Sequence, residues 1–362
     1  MPVRVIGMIG VAPPAGEATV HIIRGGLSPA YLKSFAQAHD EAGFDLALVG
    51  YTSSSADGFL VSQYAASHTK RLGFLLAHRP GFVAPTLAAR KFATLDHLID
   101  GRLAIHVITG ASDAEQHGDG DFEPKATRYR RSGEYIEVMK LAWTAQRRFD
   151  FEGEFYKMRG AASDVRPRQQ PHPELLFGGS SEEALEMGAK HCPVFAMFGE
   201  PLAATRERIA SFRARAAAHG NVASFNMSFR PIIGRTEGEA WDRARRILES
   251  IGGQTNPTGF GASKKPLDHS ATRLLSFAAA GDVHDERLWM PIAAATGAVG
   301  NTSCLVGTAE QVARALLEYY RLGVHSFLMR GFDPLPDAIE FGRELIPRLK
   351  AGAAELDRAV AA

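Results

Sequence analysis

Short apolar runs alternate with longer amphipathic stretches along almost the whole chain. The apolar runs fall at 5–9, 45–49, 73–77, 103–109, 174–177, 194–197, 226–233 and 326–329, and they are rich in Val, Ile, Leu and Phe. Most are hydrophobic at consecutive positions rather than at every second one. That is the pattern of strands covered on both faces, as in a parallel sheet flanked by helices. Between them, 29–42 puts Leu32, Phe35 and Ala36 on one side and Lys33, Gln37 and Asp40 on the other, the periodicity of an amphipathic helix. The stretches 201–219 and 236–251 space their apolar residues by three and four, and 308–322 opens with Thr308 and Gln311 in capping-box spacing. Eight strands, each followed by a helix, is the count of a closed (β/α)8 TIM barrel; a doubly wound open sheet is the rival α/β architecture.

Two segments break the alternation. Residues 149–168, around FDFEGEFY, predict an inserted β-hairpin. Residues 252–270 carry Gly, Pro, Ser, Thr and Asn with little periodicity, a long loop of the kind that is either functional or unstructured. The length of 362 residues fits one barrel domain, since such barrels take ~250 residues or more as a unit. The expectation is a single domain over 1–362 with insertions at about 149–168 and 252–303. The two cysteines, Cys192 and Cys304, lie in no paired spacing, so neither a disulfide framework nor a structural zinc site is indicated. A net charge of +1 argues against nucleic acid, whose binders concentrate basic residues on one surface. The apolar start at 3–11 has one basic residue and no cleavage site; it reads as a buried strand, and the protein as cytoplasmic without a membrane contact.

Three segments carry candidate chemistry. Gly178-Gly179-Ser180-Ser181 follows an apolar strand and opens a helix, an arrangement that presents unpaired amides to an anion. Plain helix capping explains it too, because Ser180 and Glu183 have capping-box spacing. Residues at strand C-terminal ends line the working face of a barrel, which puts Ala77, His78 and Thr109 there; Arg90 and Asp96, inside the next helix, read as ion-pairing groups. The run Arg128-Tyr129-Arg130-Arg131 offers a hydroxyl and guanidiniums suited to a phosphate or a ribityl chain, or a solvated helix start. No nucleophile elbow, phosphate-binding loop, HExxH, CxxC or GxGxxG occurs, so no metal and no resident dinucleotide are expected.

These features, with RPGFVAPTLAARKFATLDHLIDGR (79–102), VITG (107–110), HGDGDF (117–122), LLFGGSSEEA (175–184), GEAW (238–241), LVGT (305–308) and SFLMRGFDPLPDAIEFGRELIP (326–347), resemble the bacterial luciferase-like flavin monooxygenases, and most closely those acting on alkanesulfonates with reduced FMN. The resemblance implies a TIM barrel with a mobile lid between strands seven and eight. It implies reduced FMN at the C-terminal face, with the phosphate near Gly179, Ser180 and Ser181 and with Thr109, Tyr129 and His78 beside the rest of the flavin. It further implies transfer of one oxygen atom from O2, a separate NAD(P)H:FMN reductase as partner, and a homodimer or homotetramer.

Departures from the family pattern cluster at substrate positions. Ser55 stands where alkanesulfonate enzymes carry cysteine, Ser228 and Arg230 where they carry an arginine and a histidine, and Ala298 near a lid arginine. Phe198 and Phe332 replace a tryptophan and a tyrosine. Arg230 and Ser55 are the candidate catalytic residues, and Phe198, Ser228 and Phe332 the candidate substrate pocket; Arg230 has a salt bridge to Asp268 as its alternative role. A sulfonate needs charge-assisted donors, and this set supplies fewer, so a less anionic organosulfur compound such as a sulfone, or a ketone, is expected. A deazaflavin-dependent hydride-transfer enzyme and a non-catalytic flavin binder are the rival readings.

Overall fold

The computed structural model describes residues 2–14, 18–23, 25–110, 112–253, 268–300 and 302–361. Eight parallel strands close into a barrel: β1 (Arg4–Met8), β2 (Leu46–Val49), β3 (Gly73–His78), β4 (Leu103–Val107), β5 (Glu174–Gly178), β6 (Val194–Phe198), β7 (Ser224–Gly234) and β8 (Ser326–Met329). Closure comes from β6 on β7, with Val194 opposite Ser224, and from β8 on β1, with Arg4 opposite Ser326. Each strand overlaps one of the apolar runs, and the open sheet is excluded.

The strands are apolar on both faces because each face meets a different core. Ile6, Leu46, Leu75, Ala104, Leu176, Val194 and Leu328 form one cluster inside the barrel. Their neighbours Val5, Ala47, Phe74, Ile105, Phe177, Phe195 and Phe327 belong to the larger core under the helices. Successive side chains on a strand point to opposite faces, so inside and outside alternate along every strand.

The outer layer includes α1 (Pro29–Glu41), α2 (Gly58–Ala66), α3 (Pro85–Leu98), α4 (Lys125–Thr144), α5 (Glu182–His191) and α6 (Leu202–Ala218). The insertion at 149–168 is the expected hairpin, Phe149–Glu152 pairing antiparallel with Lys157–Ala161. Asp96 and Arg90 do not pair as expected: Asp96 is buried and accepts from the Gln169 main chain and side chain at 2.9 and 2.7 Å, while Arg90 is exposed.

Between β7 and β8 lie helices Glu237–Gly252, His269–Ala280, Pro291–Thr296 and Ala309–Arg321, with short strands Val283–His284, Leu288–Trp289 and Cys304–Thr308. The last helix starts with the expected capping box, Gln311 N donating to Thr308 Oγ1 at 3.3 Å and Thr308 N to Gln311 Oε1 at 2.9 Å. β7 serves two sheets. Its first half, through Phe229, pairs with β8, and its second half, from Arg230, pairs with Cys304–Thr308. Residues 254–267 of the expected lid, with Lys264 and Lys265, lie outside the described residues. Among the described residues, no helix is long and apolar enough to cross a membrane.

Candidate active site

The C-terminal ends of the strands surround a cavity of about 390 Å³, within the size range of small-molecule sites. Residues of the inward phase line it, among them Met8, Leu48, His106, Ala196, Ser228 and Arg330. Inward positions deeper in the barrel are the Leu, Ile, Val and Ala of the inner cluster, so the floor is packed, and Leu75 and Leu328 of that cluster form the base of the cavity.

One end of the cavity is a polar cradle at the β5–α5 turn. Gly179 has φ +148°, and a Cβ there would come within 2.7 Å of the Ala184 Cβ and 3.0 Å of the Tyr129 hydroxyl; only glycine fits. The helix cap is Ser181 rather than Ser180, its Oγ accepting from Ala184 N at 3.3 Å. Ser180 thereby keeps its hydroxyl for other partners: Ser270 Oγ at 2.7 Å and the Arg208 guanidinium. Tyr129 closes the turn from α4, and burial raises its pKa, keeping a phenol beside Thr109 and Ser181.

Charge at the cradle comes from a triad built on a buried carboxylate. Glu200 is 2% exposed and accepts from Arg208 Nη1 at 2.5 Å and from Arg273 Nε at 2.8 Å. Arg273 sits on His269–Ala280, so the triad ties that helix to the barrel. Two guanidiniums face one carboxylate, leaving a surplus positive charge next to Ser180. Asp268, the alternative partner of Arg230, instead caps this helix by accepting from Ala271 N at 2.8 Å.

Thr109, Tyr129, Gly179, Ser180, Ser181, Phe198 and Ser228 all line the cavity, as does Ala298. Four expected site residues lie elsewhere. His78 is on the outward phase of β3, packed on Phe92 and bonded to the Tyr135 hydroxyl at 2.8 Å. Ser55 is folded into its own turn, donating to Thr52 O at 2.9 Å. Arg230 is wholly buried past the point where β7 leaves the barrel, and its guanidinium donates to Thr19 O at 2.9 Å, to Gly331 O at 3.3 Å and to Val20 O. Phe332 packs in a separate core cluster with the Arg230 guanidinium 4.3 Å from its ring centre. Of the Arg128–Arg131 run only Tyr129 reaches the cavity: Arg128 is buried against Thr109 O, Glu123 O and Asp113, and Arg130 and Arg131 pair with Glu154 and Asp121.

The sequence reading missed His106, Asn226, Arg208 and Arg330, all of which line the cavity. The signal for three of them was strand phase: His106, Asn226 and Arg330 stand two residues from Ala104, Ser228 and Leu328. Burial pushes the Arg330 guanidinium well below its ordinary pKa, and burial also lowers His106 to about 4. At the rim, Arg79 lies 4.5 Å from the Tyr51 ring centre and pairs with Glu115 at 2.9 Å and Asp119 at 3.3 Å. Tyr51 also donates to Asp119 at 3.0 Å, so this group fastens the 51–55 turn to the segment after β4.

A riboflavin lyase, crystallised with modified FMN and riboflavin, is similar in structure, with a TM-score of 0.78 at 21% identity over 97% of this chain and 92% of that one. So is the EDTA monooxygenase of Chelativorans sp. BNC1, at 0.74 and 18% over 97% and 94%. An F420-dependent secondary alcohol dehydrogenase is similar at 0.68 and 16% over 96% and 99%. At these identities the likeness is one of fold. The sequence itself carries the assignment, because the profile of the luciferase-like monooxygenases matches residues 8–326, from the end of β1 to the start of β8. With the barrel and its cradled cavity, a match over that span means that the chain belongs to the luciferase-like monooxygenase family.

Proposed function

We propose that the protein is the oxygenating component of a two-component system, using reduced FMN from a separate NAD(P)H:FMN reductase to insert one atom of O2 into a small organosulfur compound. The observation that carries the cofactor assignment is the cradle: a turn where any Cβ would collide, followed by a helix N-terminus, two serines and a surplus guanidinium charge. Such a site matches a phosphate dianion, and the adjoining cavity offers a mixed lining to a flavin. Gly179, Ser180, Ser181, Arg208 and Tyr129 would hold the phosphate end, with Thr109 next to them. When bound, reduced FMN supplies electrons to O2, one oxygen atom going to the substrate and the other to water.

The chain's own part is binding and shielding. Met8, Leu48, Leu75, Phe198 and Leu328 make most of the remaining wall apolar, which limits water at the reacting centre. Of the cations lining the cavity, Arg208 belongs to the cradle, Arg79 is paired with Glu115 and Asp119, and Lys125 and Arg330 are the others, while Ser228 and Ala298 bring none. This lining supports a sulfone or methylated sulfur compound over a linear alkanesulfonate. The oligomer is proposed to be a homodimer or homotetramer.

Titration of the purified protein with FMN and with a deazaflavin, followed by oxygen consumption with reduced FMN, tests the reading. Binding of FMN with substrate-dependent product formation supports it. Exclusive binding of the deazaflavin, or flavin oxidation that never yields oxygenated product from any organosulfur compound, refutes it.

A further inference from the structure

The cradle grips its ligand at the end of β5, and in the closed ring of eight strands β1 stands across the barrel from β5. A molecule held by its phosphate at Gly179-Ser180-Ser181 therefore extends over the mouth toward the wall of β8, β1 and β2. Met8 ends β1 on that wall and lines the cavity. Four methionines stand on barrel strands: Met8, Met197, Met227 and Met329. Met8 alone has the inward phase, two residues from Ile6 of the inner cluster. Met197 touches the cavity as well, but from the outward phase, between Ala196 and Phe198.

The Met8 thioether is held at both ends. Its sulfur lies 3.4 Å from Arg330 Nη1, and its methyl packs on Gly50, where a Cβ would come within 3.2 Å of Met8 Cε. A thioether sulfur has two lone pairs and is a weak acceptor; the guanidinium engages one pair and leaves the second for reaction. Chemically the side chain is a methyl alkyl sulfide. It is the functional group of the methylated sulfur compounds proposed above, fixed to the wall that such a substrate would face.

We propose that Met8 is an internal substrate: when no external sulfur compound fills the cavity, the protein's own reaction oxygenates the Met8 thioether to the sulfoxide. This rests on the oxygenating reading above. In the step the sulfur forms one bond to oxygen and gives up two electrons, and two further electrons and two protons come from reduced FMN. One atom of O2 ends on sulfur and the other leaves as water. The sulfoxide oxygen is a better acceptor than the thioether and meets the same Arg330 guanidinium, which lodges a polar group in the substrate's place.

The test cycles the chain with reduced FMN and isotopically labelled O2, with catalase present and no sulfur compound added, and reads peptide masses. Met158, half-buried on the inserted hairpin and remote from the cavity lining, is the reference. Met8 and Met197 are 8% and 4% exposed, so dissolved peroxide attacks Met158 before either. The Met8 peptide should gain one labelled oxygen atom while the Met158 and Met197 peptides keep their masses. Hydrogen peroxide added to the flavin-free protein should reverse the order, with Met158 oxidised first. Any organosulfur compound that the protein oxygenates should, in excess, suppress the Met8 label. An unlabelled Met8 in protein that oxygenates such a compound overturns the proposal and leaves the oxygenating reading intact. So does label on Met8 that is no greater than on Met158 or Met197, or that excess substrate fails to diminish. Flavin that binds and is reoxidised without oxygenating Met8 or any added sulfur compound overturns the oxygenating reading itself.

Discussion

Truncating Arg230 would strand buried carbonyls of Thr19, Val20 and Gly331 that its guanidinium now satisfies. Arg230→Met should therefore destabilise the protein by roughly 2–4 kcal/mol in urea unfolding. Folded Arg230→Met should bind FMN as the parent does, and a selective loss of flavin affinity with unchanged stability would contradict this. The residue also shows how a site is misread. Its phase, two residues from Ser228, is right for the cavity, but the strand hands over to a second sheet after Phe229, a change of partner that strand phase does not record. His78 fails for the opposite reason: it lies at the correct end of β3, yet alternation from Leu75 puts Ala77 inward and His78 outward. Phase was legible in the sequence, and it would have exchanged His78 for His106.

At the level of elements, caps were the most readable feature. The helix starting at Ala309 was marked by Thr308 and Gln311, and the α5 start was legible to within one residue, the cap falling on Ser181 instead of Ser180. Ser181→Ala should cost about 1 kcal/mol of stability and weaken FMN more than lumiflavin; equal weakening of both would argue that the serine serves only the helix. Helix His269–Ala280 was not legible, because it follows a polar stretch. Its attachment through Arg273 and Glu200 is a contact between distant segments. Glu200→Gln removes the carboxylate that two guanidiniums share, so amide hydrogen exchange should accelerate across 269–280 while the β1–β4 wall stays protected. Uniform acceleration would instead indicate global destabilisation.

For the whole molecule, the barrel could be read because both-face burial writes eight short, largely apolar runs. The cavity could not, since it is assembled from single residues on separate strands. Burial also sets the acid response of the fold. His39, His106 and His191 are lowered to about 4, and His78 to about 3. Each has a folded pKa below the unfolded value near 6.5, so the unfolded chain takes up more protons as acidity rises. Their contribution is complete above about pH 6.5 and is lost progressively toward pH 4. The urea midpoint should accordingly be lower at pH 5 than at pH 7.5; an equal or higher midpoint at pH 5 would show that these rings do not remain neutral in the native state.

The double duty of β7 has a consequence for how this protein can change. One unbroken backbone is a stave of the barrel over its first half and the founding strand of an outer platform over its second. The platform thus inherits a fixed orientation from the barrel wall, without an intervening joint. Where the excursion between Gly234 and Cys304 does not reach the cradle or the cavity, its length is then open to variation, because its two ends are clamped at opposite ends of one ladder, Gly234 opposite Thr308 and Cys304 opposite Arg230.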